Sequence, residues 1–281
     1  MRTFGDIDEK YSGFKSSDIL LQPYPYDGTS TWGKGSDKAF EAFLEASDYL
    51  ELYDIETGSE VFRKGIHLLP GISLSGSPEE VYRRIYQHTS ELLGNDKLLT
   101  FIGGEHSVSI GIIKAFSEKY RDLTVLQLDA HTDLRPEYLG SAYNHACAMH
   151  QASKNTSLIQ VGIRSMNISE LEYFDSSKCI LAEEMQDNDY WIERIVPLLS
   201  GDVYITIDMD VFDPSAMPAT GTPEPGGMTW YQALKLMRKV FTVCNVRGFD
   251  MVELSPVENF KAPAFMMAKL YYKMLSYKYY G

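Results

Sequence analysis

Short apolar runs alternate with helix-like stretches along this chain, and several of the runs stop at a cluster of Asp, Glu or His. Runs rich in leucine and β-branched residues read as strands, and the amphipathic segments between them as helices. That alternation is the pattern of an α/β fold with a mostly parallel sheet covered on both faces. The expected strands are 18–24, 66–69, 97–102, 123–128, 157–163, 178–181, 202–207 and 244–252, about eight in all. The expected helices are 37–50, 77–93, 107–119, 187–199, 229–241 and 262–276. The helix over 77–93 has the best-marked ends: Ser77 as N-cap, Pro78 in the first turn, Glu80 completing a capping box and Gly94 as the stop.

With 281 residues, 44% of them hydrophobic, the chain can bury a full core, and no repeat or linker divides it, so one domain over 1–281 is expected. The first residues lack an apolar signal segment, and no apolar run approaches the roughly 20 residues that span a bilayer. A cytoplasmic protein with no membrane partner is expected. Cys147, Cys179 and Cys244 show no paired spacing, which argues for free thiols and against a thiolate metal site. Lys and Arg number 26 against 39 Asp and Glu, a net charge of −13, and no basic cluster offers a footprint for nucleic acid. An acidic surface modestly favours a cationic small substrate.

Four apolar runs end in chemistry-bearing residues. Leu98 to Ile102 leads into Gly103-Gly104-Glu105-His106-Ser107, and Val125 to Leu128 into Asp129-Ala130-His131-Thr132-Asp133. Tyr204 to Ile207 leads into Asp208-Met209-Asp210, and Phe249 to Val252 into Glu253. In an open parallel sheet the carboxyl ends of the strands share one edge, where ligands bind. Alternate residues of extended chain project to one side, so Asp129, His131 and Asp133 are expected to form one comb, and Asp208 with Asp210 a second. With His106 they make a set of imidazoles and carboxylates suited to two divalent ions such as Mn²⁺. The ions would offset the mutual repulsion of the carboxylates. The long irregular stretches 130–145 and 208–228 each begin at one of these clusters, as functional loops do.

At these residues the sequence resembles the ureohydrolase family of arginases, agmatinases and formiminoglutamases, most of all the agmatinases. The strings are GGEHS at 103–107, DAHTD at 129–133, TIDMDVFDP at 206–214, ATGTPEPGG at 219–227 and FDMVELSP at 249–256. The resemblance implies a three-layer α/β/α arginase-like fold, a homotrimer or homohexamer, and two Mn²⁺ ions per subunit bridged by a hydroxide. By motif, His106, Asp129, Asp133 and Asp208 would hold one ion, and Asp129, His131, Asp208 and Asp210 the other. Asp133 would orient the hydroxide, and Glu253 would grip the guanidinium. His145 would relay protons, its unperturbed pKa suiting that work near neutral pH. Thr222 would line the substrate pocket. Glu105 is expected to support the ligands from outside, while His67, His88 and His150 match no motif and read as structural.

The implied reaction is hydrolysis of a small cationic guanidine to urea. Related arginases follow DAHTD with an Ile-Asn-Thr string that holds an α-carboxylate, whereas this chain has Leu134-Arg135-Pro136. That favours agmatine, converted to putrescine, over arginine, with guanidinobutyrate and aminopropylagmatine as alternatives. The segment Gly33-Lys34-Gly35-Ser36-Asp37 departs from the Arg-Pro-Gly-rich string common at that place. Two rival readings exist: a haloacid-dehalogenase-type phosphatase built on Tyr204 to Val211, and a non-catalytic metal-binding scaffold. The phosphatase reading leaves GGEHS and DAHTD unexplained.

Overall fold

The computed structural model describes residues 2–199 and 201–281. Its strands are β1 (Ile19–Tyr24), β2 (Ile66–Leu68), β3 (Leu98–Gly103), β4 (Thr124–Leu128), β5 (Ser157–Ile163), β6 (Cys179–Leu181), β7 (Asp202–Asp208) and β8 (Asn245–Val252). They form one sheet in the spatial order β2-β1-β3-β8-β7-β4-β5-β6, and every neighbouring pair is parallel. The expected mostly parallel sheet is thus wholly parallel. The order also places β3, β8, β7 and β4 side by side in its middle. The four strands whose ends carry the Asp, Glu and His clusters therefore open onto one stretch of one edge.

Helices cover both faces. On one side lie α1 (Ala39–Ser47), α5 (Tyr190–Ile195), α6 (Trp230–Val243) and α7 (Ala262–Tyr280), packed on residues such as Ile19, Leu21 and Phe249. On the other lie α2 (Pro78–Leu92), α3 (Val108–Lys119) and α4 (His150–Asn155), packed on Leu20, Phe101 and Tyr204. Successive residues of β1 thus serve opposite cores, the period of two a strand imposes. No helix among the described residues is long and apolar enough to cross a membrane.

Helix boundaries differ from expectation in identifiable ways. The helix expected over 187–199 is α5 followed by a 3₁₀ turn at Val196–Leu198, where Pro197 lacks the amide that would continue the α ladder. The helix expected from 37 opens as a 3₁₀ turn at Ser36–Lys38, and α7 runs on to Tyr280. Helix α4 is too short to show a period and was not expected.

The start of α2 is as the sequence indicates: Ser77 Oγ accepts from the Glu80 amide at 3.3 Å, and Glu80 Oε2 accepts from the Ser77 amide at 2.8 Å. Replacing Ser77 by Ala should lower the melting midpoint by about 2–4 °C, read by thermal unfolding. An unchanged midpoint would show that this cap contributes nothing.

Candidate metal centre and its cleft

The Gly103-Gly104 turn at the end of β3 delivers His106. A Cβ on Gly104 would lie 2.0 Å from the Tyr26 carbonyl oxygen, so only glycine lets the two backbones pass this closely. The turn is pinned from both sides: the Glu105 amide donates to Tyr26 O at 2.8 Å and the Glu253 amide to Gly104 O at 2.7 Å. Glu253 Oε1 in turn accepts from the His106 amide at 2.6 Å, which joins the ends of β3 and β8.

His106 is 1% exposed, and its Nδ1 faces three carboxylate oxygens: Asp129 Oδ2 at 3.0 Å, Asp133 Oδ2 at 3.1 Å and Asp208 Oδ2 at 3.4 Å. Despite these approaches, Nδ1 makes no hydrogen bond. The second imidazole, His131, sets Nδ1 at 2.9 Å from Asp210 Oδ2 and 3.7 Å from Asp129 Oδ1. Two groups of ligand atoms result, His106 with Asp129 and Asp208, and Asp129 with His131 and Asp210, each group lying within 4.8 Å of one another. A buried, unpartnered ring nitrogen amid carboxylate oxygens is what a cation would complete, and the all-oxygen and imidazole donors fit a hard or borderline divalent ion such as Mn²⁺. Asp129 belongs to both groups, as expected of a shared ligand. Asp208 joins only the first group, and its link to Asp210 is a backbone one.

The carboxylates divide their oxygens between backbone and site. Asp129 Oδ1 accepts from the His131 amide at 2.6 Å, Asp208 Oδ1 from the Asp210 amide at 2.8 Å, and Asp210 Oδ1 from the Ala130 amide at 3.0 Å. In each case the other oxygen turns to an imidazole. These bonds correct the expectation of two extended combs. After β7 the chain enters a 3₁₀ turn at Met209–Val211, capped by Asp208. After β4, Asp133 adopts a left-handed φ of 52°. Glu253 does likewise at 65°. Such backbone is costly for residues with a Cβ and clusters at functional sites.

The electrostatics show how crowded the centre is. Burial would raise the Asp129 carboxyl, but His106 and His131 hold it far below the usual range. Burial, then Asp129, pushes Asp133 up to about 6, and burial with Asp210 and Asp129 raises Asp208 well above an ordinary carboxylate. Burial opposes the imidazolium of His131, yet Asp210 and Asp129 raise it to about 12; Asp129, Asp133 and Asp208 likewise outweigh burial at His106.

A cleft opens above the centre, and Asp133, His131, Asp208, Glu253, His145 and Thr222 all contribute to its lining. The structure therefore brings the expected site residues to one place, with His106, Asp129 and Asp210 beneath. His145 Nδ1 lies 3.2 Å from Thr29 Oγ1, whose hydroxyl donates to Glu105 Oε1 at 2.7 Å. Burial, with His106 next, pushes His145 down to about 4, which corrects the expectation of an ordinary pKa there. Glu105 stands outside the ligand clusters: it also accepts from the amides of Thr29 and Ser30, both at 2.7 Å, and from Ser107 Oγ at 2.6 Å, fixing the loop beside His145.

Sequence reasoning passed over two supports. Glu170 accepts from Thr132 Oγ1, the Leu134 amide and the Asn167 amide at 2.8, 2.8 and 2.6 Å, tying the loop after β4 to the next wall of the cleft. The Asn-x-x-Glu spacing of a capping box was its signal. Arg164 donates to the carbonyls of Asp210 at 2.6 Å and Glu224 at 2.8 Å, fastening the loop after β7. His67, His88 and His150 bond to Ser12 O, Tyr24 Oη and Leu134 O instead of joining the centre.

Two outcomes test the centre. Asp210→Asn should reduce bound Mn²⁺ by about one ion per chain in elemental analysis, since it weakens one carboxylate donor; undiminished metal content would remove Asp210 from the ligands. Ions and protons also compete for these groups, so lowering the pH through about 6, where Asp133 gains its proton, should weaken Mn²⁺ binding in calorimetric titrations. Affinity that does not change with pH would contradict that competition.

Comparisons with known proteins agree with this geometry. The family model described as Arginase family matches residues 17–276. The chain is 34% identical to the N(1)-aminopropylagmatine ureohydrolase of Synechocystis sp., over 96% of this chain and 92% of that protein. It is 35% identical to the protein of the same name from Thermus thermophilus, over 92% and 89%. The crystal structure of the agmatine ureohydrolase of Thermoplasma volcanium superimposes with a TM-score of 0.88 at 28% identity, covering 98% of this chain and 94% of that one. The arginase of Bacillus caldovelox shares the fold, with a TM-score of 0.78 at 19% identity, covering 92% and 97%. On the family match and the near full-length relatives together, this chain belongs to the arginase family.

Proposed function

We propose that the protein hydrolyses a guanidino compound to urea and an amine at a centre of two Mn²⁺ ions, and that agmatine is its substrate. The observation that carries the reading is the unpartnered Nδ1 of His106 amid three carboxylates, directly below a cleft that Glu253 enters. Two divalent cations there would neutralise the carboxylates and lower the pKa of a water towards neutrality, so that it can attack an electron-poor carbon. Glu253, whose Oε1 is held by the His106 amide, keeps Oε2 for a guanidinium, a planar cation that pairs well with a carboxylate. Asp133, held beside His106, orients the attacking water.

His145 is neutral near pH 7. Thr29 gives its one hydroxyl proton to Glu105, so the ring donates from Nδ1 to Thr29 and presents the lone pair of Nε2. We assign to that atom the uptake of a proton from the attacking water and its passage to the departing amine, which leaves the ring neutral again. Thr222 completes the wall.

The far end of the cleft supports a substrate without a carboxylate. Arg135 is the one Lys or Arg among the described lining residues; its guanidinium lies 4.3 Å from the Tyr138 ring centroid, and Nε is 3.9 Å from Glu170 Oε2. A lone cation that covers a ring and faces a carboxylate is a poorer clamp for an α-carboxylate than one without such neighbours. The names of the Synechocystis and Thermus relatives favour a second reading, N(1)-aminopropylagmatine, which keeps the same guanidino end and lengthens the other.

Urea release from agmatine, N(1)-aminopropylagmatine, arginine and guanidinobutyrate, with Mn²⁺ supplied, tests both readings. Agmatine should be hydrolysed with the highest kcat/KM; a higher value for the aminopropyl compound would replace it. Metal-loaded protein that releases no urea from any of them would overturn the assignment, and phosphate release from esters would then favour the phosphatase. Glu253→Gln should raise KM by about 10-fold or more, with a smaller effect on kcat. Wild-type kinetics in that variant would take Glu253 out of the site.

A further inference from the structure

The centre rests on a buried polar chain that none of the proposed roles uses. On the side away from the cluster, His106 Nε2 lies 3.0 Å from Thr206 Oγ1. Thr206 Oγ1 lies 2.6 Å from Asp250 Oδ1, and Tyr204 Oη lies 2.7 Å from Asp250 Oδ2. Thr206, Asp250 and Tyr204 are all 0% exposed, so no solvent competes for these contacts. Thr206 and Tyr204 sit two apart on β7 and face the same way, and Asp250 is the register partner of Thr206 on β8.

We infer that Thr206, backed by Asp250 and Tyr204, is a positioning residue that fixes the His106 ring in the tautomer whose Nδ1 lone pair points at the metal. A carboxylate only accepts, so the single hydroxyl proton of Thr206 goes to Asp250, at the shorter distance. The threonine oxygen can then only accept from the histidine, and Nε2 carries the hydrogen. Once that is set, Nδ1 is the ring's ligand atom. A ring held by one hydrogen bond could still tilt about it; Asp250, itself held by two hydroxyls, stops the oxygen from moving. Outer hydrogen bonds of this kind orient metal-binding imidazoles.

Among the described residues His131 has no equivalent. Its Nε2 faces Glu224 Oε1 at 3.8 Å, beyond hydrogen-bonding distance, and both side chains are partly exposed. The two ions therefore differ in how firmly their imidazoles are aimed, and the chain through Thr206 serves one of them.

The inference rests on the two-ion reading, and the test separates the two. Mn²⁺ is titrated calorimetrically into metal-free wild type, Thr206→Val, which keeps the shape without the hydroxyl, and Thr206→Ser, which keeps the hydroxyl. Thr206→Val should weaken one class of site about 10–100-fold and leave the other nearly unchanged, while Thr206→Ser stays close to wild type. Equal affinities in wild type and Thr206→Val would overturn the inference, as would equal losses in the two variants. If Thr206→Val does not fold, Asp250→Asn is read instead: selective weakening of one site supports the role, and wild-type binding overturns it. Wild-type protein that takes up no Mn²⁺ would instead overturn the two-ion reading itself.

Discussion

Crowded negative charge at the middle of the sheet's carboxyl edge is the constraint to which the rest of the structure answers. Asp129, Asp133, Asp208 and Asp210 are each less than a tenth exposed and meet around two imidazoles. Bringing carboxylates this close without water is unfavourable unless protons or cations intervene. The fold keeps them in place by giving three of the four a backbone amide for one oxygen, while the second oxygen faces an imidazole. Structure and site share the same atoms: the bond by which Asp208 caps the turn at Met209–Val211 also fixes its position.

Sheet order does what chain order cannot. Residues 106, 129, 208 and 253 are far apart along the sequence, yet they follow four adjacent parallel strands. Because the strands are parallel, every connection must return across a face of the sheet, which leaves their carboxyl ends together and open. The loops springing from that edge then need their own anchors. Glu105 holds the segment at Thr29 and Ser30, Glu170 the segment after β4, and Arg164 the segment after β7. Each anchor uses a charged side chain against backbone groups, a pairing stronger than that of neutral partners.

The sequence was legible where residue type contradicts its surroundings. Asp and His directly after an apolar run are conspicuous, so the sheet could be read, and with it the strand ends where His106, Asp129, His131, Asp208 and Asp210 gather. It was illegible where polar residues lie within runs that are buried on both faces. Thr206 and Asp250 sit among Ile205, Ile207, Phe249 and Met251, and nothing in the linear order says that they face one another across β7 and β8. Local geometry was misread for a related reason. The extended combs assumed that strand backbone continues past the strand, whereas the same carboxylates cap turns and draw the backbone round. The His145 pKa depends on burial by loops distant in sequence, to which no local pattern gives access.

The division between strand ends and loops also bears on what can be said of the substrate. Glu253, assigned to the guanidinium, stands at a strand end whose position the ladder fixes, and Asp133, assigned to the water, lies on the loop after β4 that Glu170 anchors. The groups that would meet the other end, Trp32, Arg135, Tyr138 and Asn167, lie on connecting segments. Their placement depends on contacts such as that of Gly33 with Gly221, where a Cβ on Gly33 would come within 2.8 Å of the opposing backbone. Small changes there move the rim without touching the centre. Arg135 shows the consequence. Its charge lies near Glu170 and its plane covers Tyr138, neighbours that weaken its pull on a carboxylate in the cleft. The sheet thus fixes the centre while the loops, Arg135 among them, shape the rim, and on the proposed reading it is the rim that selects among guanidines.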